Sequence, residues 1–437
     1  MPTKIIRDPV HDVIALRTDH PIERLIFDLI ARPEFQRLRR VRQLGMASLA
    51  YPGADHSRYS HSLGVFETCR KMLAELSLQT TIGDFDYAAC LAAALLHDLG
   101  HGPFSHVFER VSGVHHEALS HRILLDPAGG VHQTLRDFDA ALPTRVVELL
   151  DGTGTPSFLS DCLSSQLDAD RLDYLLRDNL MTGSRYGDYD LRWLLQNMTV
   201  TPDTNRLAIT FKGLSAVEAY LQARYHMYRN VYFHKVVRSA EGMVKMALQR
   251  AKRLAVQDRL EWPPADSPVC KILQGMELKI SEFIELDDVS VLQCFKTWTK
   301  SDDATLASLC SGLLYRKLFK TIDLGRLGDQ EAIDAAVARA TAMVDEAGGD
   351  SAYTLFYDAP ADTPYKLGGG GETEAAKDIL IVTSDGRTRT VADESPFADG
   401  LMRRLSFKRL HVTENWRDRV AAAVDGSVPS PGTPGEG

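Results

Sequence analysis

Apolar positions over the first 260 residues recur mainly at helical spacing. Between Leu25 and Leu44 they fall at Ile26, Leu29 and Ile30 and again at Phe35, Leu38 and Val41, and Pro33 divides the stretch into two helices. Ala88 to His97 is rich in Ala and Leu and is expected to be a buried helix. Leu214 to Leu254 lacks proline and reads as one long helical stretch. Two pieces read as strands: Lys4 to Leu16, and Met198 to Phe211 with a hairpin turn at Pro202-Asp203-Thr204-Asn205. Glu261-Trp262-Pro263-Pro264 marks a boundary. Helical segments follow from Val269 to Ala347, and Ala352 to Tyr357, Asp378 to Thr383 and Arg387 to Val391 read as strands. The expected fold class is mainly α. It comprises a large helical domain over 1–260, a smaller C-terminal α+β lobe over 261–420 that contains Tyr353 to Val391 and Leu405 to Val412, and a disordered Ser/Pro/Gly-rich tail over 421–437.

Composition narrows this reading little. Of 437 residues 44% are hydrophobic and 25% charged, the ordinary balance of a folded soluble chain. A net charge of −9 argues against coating nucleic acid by bulk charge, although a local basic channel stays open. No apolar run approaches the ~20 residues a membrane helix needs, and Met1 to Pro9 has no apolar signal-like stretch. Six scattered cysteines form no Cys-x-x-Cys pair, so a cytoplasmic location is expected. The Gly368 to Gly371 run is followed by no Gly-Lys-Ser/Thr and reads as a turn, not a phosphate loop.

Chemistry concentrates in His97-Asp98-Leu99-Gly100-His101-Gly102-Pro103-Phe104-Ser105-His106. A His-Asp pair ends an apolar helix, and two glycines then let the chain turn sharply. His61 stands upstream in Arg58-Tyr59-Ser60-His61-Ser62, and Asp170 downstream in Asp168-Ala169-Asp170-Arg171-Leu172-Asp173-Tyr174. Two imidazoles and two carboxylates make a mixed N/O set for a divalent metal, admitting Mn, Fe, Mg, Zn, Co or Ni.

The order His, His-Asp, Asp resembles the ligand set of the HD phosphohydrolase superfamily. Neighbouring motifs narrow the resemblance to its dNTP triphosphohydrolase branch: Asp8-Pro9-Val10-His11, Phe35 to Arg39, Gln43-Leu44-Gly45, Tyr51 to Ala54, Arg58 to Gly64, Asp170 to Asp178, and Tyr232-Phe233-His234-Lys235. This resemblance implies an HD helical bundle and hydrolysis of a dNTP at the α-phosphorus, yielding deoxynucleoside and inorganic triphosphate. It implies His61, His97, Asp98 and Asp170 as metal ligands and Arg58 on the α-phosphate. His116 would be the general acid, with Glu109 as its carboxylate partner. His101 and His106 would line the phosphates, and Arg171, Tyr174 and Arg224 would bind the triphosphate tail. Gln43 and Asp178 would contact the sugar 3′-hydroxyl, and Tyr232 would wall sugar and base. Lys4, Gln36 and Arg39 match an allosteric nucleotide site, with Ala31 in place of an Asp that contacts guanine; an activating nucleotide is left open. The branch also implies a homo-oligomer, with a tetramer favoured.

The residues lend their own support. A dNTP carries about four negative charges and needs cations besides the metal. Residues 224 to 253 hold eight Lys/Arg against one acid, Glu241. Arg224, Tyr228 and Tyr232 recur every four residues and would share a helix face. Two other readings stand beside this one: a phosphodiesterase or phosphatase acting on another nucleotide or single-stranded nucleic acid, and a nucleotide-sensing regulator with a vestigial site. The set Gln43, Asp178, Arg171 and Arg224 suits a triphosphate better than a diester, and the intact ligand positions weigh against a vestigial site.

Overall fold

A computed structural model describes residues 3–153, 157–260, 262–362, 378–401 and 405–426. The Gly368 to Gly371 run and residues 427–437 lie outside the described residues. The fold is mainly helical. At its centre is Asp84–Leu96, whose residues from Ala88 to Leu96 are all at most 1% exposed. Small Ala side chains let neighbouring helices approach from every side, so this helix is apolar all round, not on one stripe. It packs between Arg58–Leu76 and Leu142–Asp151, and Ala169–Thr182 covers the other side of Arg58–Leu76. Ser57 caps Arg58–Leu76 by accepting from Ser60 N, and Asp168 caps Ala169–Thr182 by accepting from Arg171 N at 2.8 Å. These caps fix the starts of the two helices that carry His61 and Asp170.

Both expected hairpins form. Thr3–Asp8 pairs antiparallel with Asp12–Arg17, and Met198–Val200 with Leu207–Thr210. The stretch Leu214 to Leu254 is not one helix. It divides into Leu214–Met227 and Lys235–Val256 across a π-helical turn, Tyr228–Tyr232. Within that turn the Tyr228 ring packs edge-on against Tyr232 and Phe233, 5.0 and 5.7 Å away, and the His234 side chain caps the second helix at Val236 N. Proline absence therefore did not make the helix continuous, because ring packing stabilises the wider turn.

The main hydrophobic core does not stop at residue 260. Val269, Ile272, Phe283, Val291, Phe295 and Leu309 belong to it. The strands expected at 378–391 also differ in place. Leu380–Val382 pairs parallel with Leu207–Thr210 and antiparallel with Thr388–Thr390, so they extend the Met198–Thr210 sheet of the large domain and do not join the smaller lobe. The smaller α+β lobe is a three-stranded antiparallel sheet with Arg409–Val412 between Lys320–Asp323 and Leu355–Asp358, covered by Gln330–Glu346 and Arg417–Val424. It has its own core, which includes Leu324, Ile333, Ala340, Leu410, Val420 and Val424. The first residues of the expected tail, 421–424, instead belong to the Arg417–Val424 helix, in which Val420 and Val424 are buried at helical spacing. Among the described residues no helix is long and apolar enough to cross a membrane.

Candidate active site

The Asp84–Leu96 helix ends at His97, and the chain turns through Gly100 and Gly102. Gly100 cannot carry a side chain: a Cβ there would lie 1.9 Å from His116 O and 2.5 Å from Ser120 N. Its N–H instead donates to Ser120 Oγ at 2.9 Å, which clamps the turn onto the His116–Leu125 helix. The turn, the first residues of Arg58–Leu76 and Ala169–Thr182, and the Tyr228–Tyr232 turn surround a cavity of about 770 Å³.

Ligand atoms of His61, His97 and Asp170 all lie within 4.8 Å of one another. His61 Nε2 is 2.9 Å from Asp170 Oδ1, and its Nδ1 is 2.8 Å from Asp173 Oδ2. Burial pushes His61 down, but these two carboxylates lift its pKa to about 10. The His97 ring is held by Nδ1 against Ala94 O at 2.9 Å, which leaves Nε2 buried without a hydrogen-bond partner. Asp98 joins the group with Oδ1 3.3 Å from His97 Nε2 and Oδ2 4.0 Å from His61 Nε2. Burial pushes Asp98 up, yet Arg58, His97 and His101 hold it well below the usual carboxylate range. An orphaned imidazole nitrogen facing carboxylates that demand positive charge fits a divalent metal.

Arg58 spans this cluster and the turn. Its Nη1 donates to Asp98 Oδ2 at 2.5 Å, and Nη2 and Nε donate to Ser105 Oγ at 2.7 and 3.2 Å. His116 lies on the cavity wall with Nδ1 3.2 Å from Glu109 Oε2, and its ring stacks on His101 at 4.0 Å. Glu109 is shared, since its Oε1 is 3.0 Å from His115 Nδ1. Burial and the Arg58 charge push His101 down to about 3, so its imidazole is neutral.

Gln43, Arg171, Tyr174, Asp178 and Tyr232 also line the cavity. Gln43 Oε1 is buried without a hydrogen-bond partner. Both oxygens of Asp178 are engaged within the chain, by His56 Nε2 at 2.8 Å and by the Tyr232 hydroxyl at 2.8 Å. Arg171 bonds to the Asp168 carboxylate and donates to Ser165 O at 2.5 Å. Arg224 is not on the cavity wall. It is buried, with its guanidinium 5.5 Å from the Tyr228 ring centroid, so it supports an aromatic that does line the wall. His106 opens the His106–Ser112 helix, and its side chain lies outside the described residues. Lys4, Gln36 and Arg39 are away from the cavity: Lys4 Nζ lies 6.0 Å from the Phe27 ring centroid, Gln36 accepts from Arg39 Nε at 2.8 Å, and Arg39 stacks on Tyr59.

Sequence reasoning missed Ser105, His56 and the network behind His61. Asp173 accepts from Arg177 and bonds His11, and Arg177 continues to Asp8 at 2.8 Å. A signal was available: Asp170, Asp173, Tyr174, Arg177 and Asp178 recur at three- and four-residue spacing along Ala169–Thr182. Arg110, His121, Arg238 and Glu241 also line the cavity and carried no motif.

A model of the HD domain matches residues 58–127, and one of the HD associated region matches 189–260. The uncharacterized protein YwfO of Bacillus subtilis is 37% identical over 399 residues, covering 91% of this chain and 89% of that protein. The deoxynucleoside triphosphate triphosphohydrolase SAMHD1 homolog of Dictyostelium discoideum is 29% identical over 341 residues, or 74% of this chain and 60% of that protein. The crystal structure of a phosphohydrolase from Bacteroides thetaiotaomicron superposes with a TM-score of 0.79 at 29% identity, over 94% of this chain and all of that one.

Proposed function

Because the chain belongs to the HD superfamily of phosphohydrolases, we propose that it is a metal-dependent dNTP triphosphohydrolase. One observation carries this reading. The His61/His97/Asp170 cluster, the His116–Glu109 pair and the Gln43/Asp178/Tyr232 group converge on a single cavity. Groups able to hold a metal, give a proton and meet a sugar thus face one cavity, which supports this reading.

His61, His97, Asp98 and Asp170 would hold the divalent ion. Bound there, the ion neutralises phosphate charge and lowers the pKa of water. Arg58 grips the α-phosphate as a guanidinium held by Asp98 and Ser105. Arg171, at the start of the Ala169–Thr182 helix, adds positive charge for the β- and γ-phosphates. Gln43 offers an unpartnered buried oxygen to the 3′-hydroxyl, and Tyr232, fixed by Asp178, walls the sugar. Water oxygen forms a bond to the α-phosphorus as the water releases a proton to solvent, and the bond from phosphorus to O5′ breaks with its electron pair leaving on O5′. His116, with Nδ1 held by Glu109, delivers the proton from Nε2 to the leaving O5′. The products are deoxynucleoside and intact triphosphate.

The test is a product assay. The protein with Mn²⁺ or Mg²⁺ is mixed with each dNTP, each NTP and pairs of them, and products are resolved by chromatography. Deoxynucleoside plus triphosphate is the expected result, and the pairings read out any activating nucleotide. Monophosphate plus pyrophosphate, or stepwise release of phosphate, would overturn attack at the α-phosphorus in favour of another HD hydrolase reaction. Absence of turnover under every pairing would favour a sensor. A homo-oligomer belongs to the same reading, and light scattering of the intact chain tests it.

A further inference from the structure

Two consecutive non-glycine residues of the cavity wall hold left-handed backbone: Phe104 with φ +52°, and Ser105 with φ +54° and ψ −123°. Such residues are strained and persist only where their surroundings hold them. The group that holds them comes from far along the chain. Asp288, 2% exposed, accepts from Phe104 N at 2.9 Å through Oδ1 and from Arg42 N at 3.0 Å through Oδ2. These amides immediately precede Ser105, which receives Arg58, and Gln43, which lines the same cavity. Arg37 fastens the same turn from behind. It donates to His101 O at 2.7 Å and Leu99 O at 3.3 Å, and through Nε to Leu286 O at 2.6 Å, two residues before Asp288.

Asp288 is not there to cap its own helix. Asp287 is the N-cap of Asp288–Trp298, accepting from Ser290 N at 2.9 Å. A buried carboxylate with both oxygens on backbone amides of two separate loops costs desolvation, and burial pushes its pKa up to about 6. That cost has a use if the spacing of the two loops matters.

The Arg42 and Ser57 backbones already pair, with Gln43 N donating to His56 O at 3.0 Å and Arg58 N to Val41 O at 2.8 Å. We infer that Asp288 is a positioning residue that, by bridging Phe104 N to Arg42 N, docks the Ser105 turn onto this pair and so sets how Ser105 holds the Arg58 guanidinium. The inference rests on the proposed reaction for the identity of the ligand, not for the geometry.

The test uses the full chain loaded with Mn²⁺. Asp288→Ala should lower kcat by about 10²-fold, the order expected for displacement of a substrate-positioning group, while KM and bound metal stay near wild type. Asp288→Asn, which keeps one acceptor, should recover about tenfold of that loss. Asp287→Ala removes the helix cap and the ion pair with Arg40, so it should lower Tm without lowering kcat. Asp288→Ala turning over within twofold of wild type, or Asp287→Ala and Asp288→Ala losing kcat in step with Tm, would overturn the inference. A crystal structure of the Asp288→Ala chain decides independently of substrate. Ser105 Oγ should leave hydrogen-bond reach of Arg58, and an unmoved pair refutes the role even if the proposed reaction itself fails.

Discussion

Asp173 holds His61 by Nδ1 at 2.8 Å, on the side of the ring away from Asp170. The same carboxylate accepts from Arg177 through Nε and Nη2 at 2.8 and 2.9 Å and lies 2.9 Å from His11 Nε2. Burial pushes Asp173 up, but Arg177, His11 and His61 hold it well below the usual carboxylate range. An ionised acid pinned by three partners fixes the plane and tautomer of the imidazole. With Nδ1 donating to Asp173, Nε2 is the nitrogen offered to a cation.

Asp173→Asn should therefore lower Mn²⁺ affinity by about 10- to 100-fold, read by titration calorimetry. Asp173→Ala should in addition cost about 3–5 kcal/mol, because Arg177, 1% exposed at its side chain, loses a buried partner. Wild-type affinity in a folded Asp173→Asn chain would show that His61 is oriented by something else.

Gly64 makes this network possible. A Cβ there would lie 1.9 Å from Asp173 Oδ1 and 2.2 Å from Arg177 Nη2. The neighbours are a buried ion pair with no room to retreat. Gly64→Ala should cost about 1–3 kcal/mol and weaken metal binding together with Tm. A chain that loses neither would mean that the pair relaxes freely.

Asp98→Ala removes a carboxylate that faces His97 and also anchors Arg58. Metal content after dialysis and turnover should both fall to background, and a chelator should produce the same loss reversibly in the wild-type chain. Turnover near wild type in Asp98→Ala would remove this residue from the site.

Much of this centre was legible because its signals are local. His97-Asp98 followed by two glycines states a helix end and a sharp turn, and Ala88 to Leu96 states a buried helix. What stayed hidden depends on pairing between distant segments. Asp8 finds Arg177 across 169 residues, His56 finds Asp178 across 122, and Asp288 finds Phe104 across 184. A charged residue looks the same in sequence whether it is solvated or buried against a partner. Leu380–Val382 likewise reads as a strand but does not name Leu207–Thr210 as its neighbour. The place of Arg224 is hidden for a related reason. Four-residue spacing places it beside Tyr228 but does not say which of them meets the cavity.

The joint between the domain and the smaller lobe carries a pH dependence. Asp358 accepts from Arg238 at 2.6 Å and lies 3.7 Å from His411 Nε2. Burial pushes its pKa up, but His411 and Arg238 outweigh that and hold it at about 2. A folded-state pKa below the unfolded value contributes stability above the unfolded pKa, lost as pH falls through the folded one. The window runs from about pH 4 down to about pH 2, and the loss is about 2 kcal/mol. Tm measured from pH 5 to pH 2.5 should fall more steeply for wild type than for Asp358→Asn, which starts lower. Parallel slopes would dismiss the pair as the cause.

His116 and His115 share Glu109 but differ in what they face: His116 lines the cavity, while the His115 side chain is 80% exposed. A proton donor matters only where the leaving group needs a proton. His116→Ala should lower kcat on a dNTP by roughly 10²–10⁴-fold with metal still bound, and His115→Ala should stay within about twofold. Against a p-nitrophenyl phosphodiester, whose phenolate leaves without protonation, the His116→Ala loss should shrink to a small factor, provided that the wild-type chain turns this probe over. A merely structural His116 would depress both substrates equally, and that equality would remove it as the acid. Glu109→Gln should behave like a milder His116→Ala, since it leaves the imidazole in place but weakens the bond that orients Nδ1.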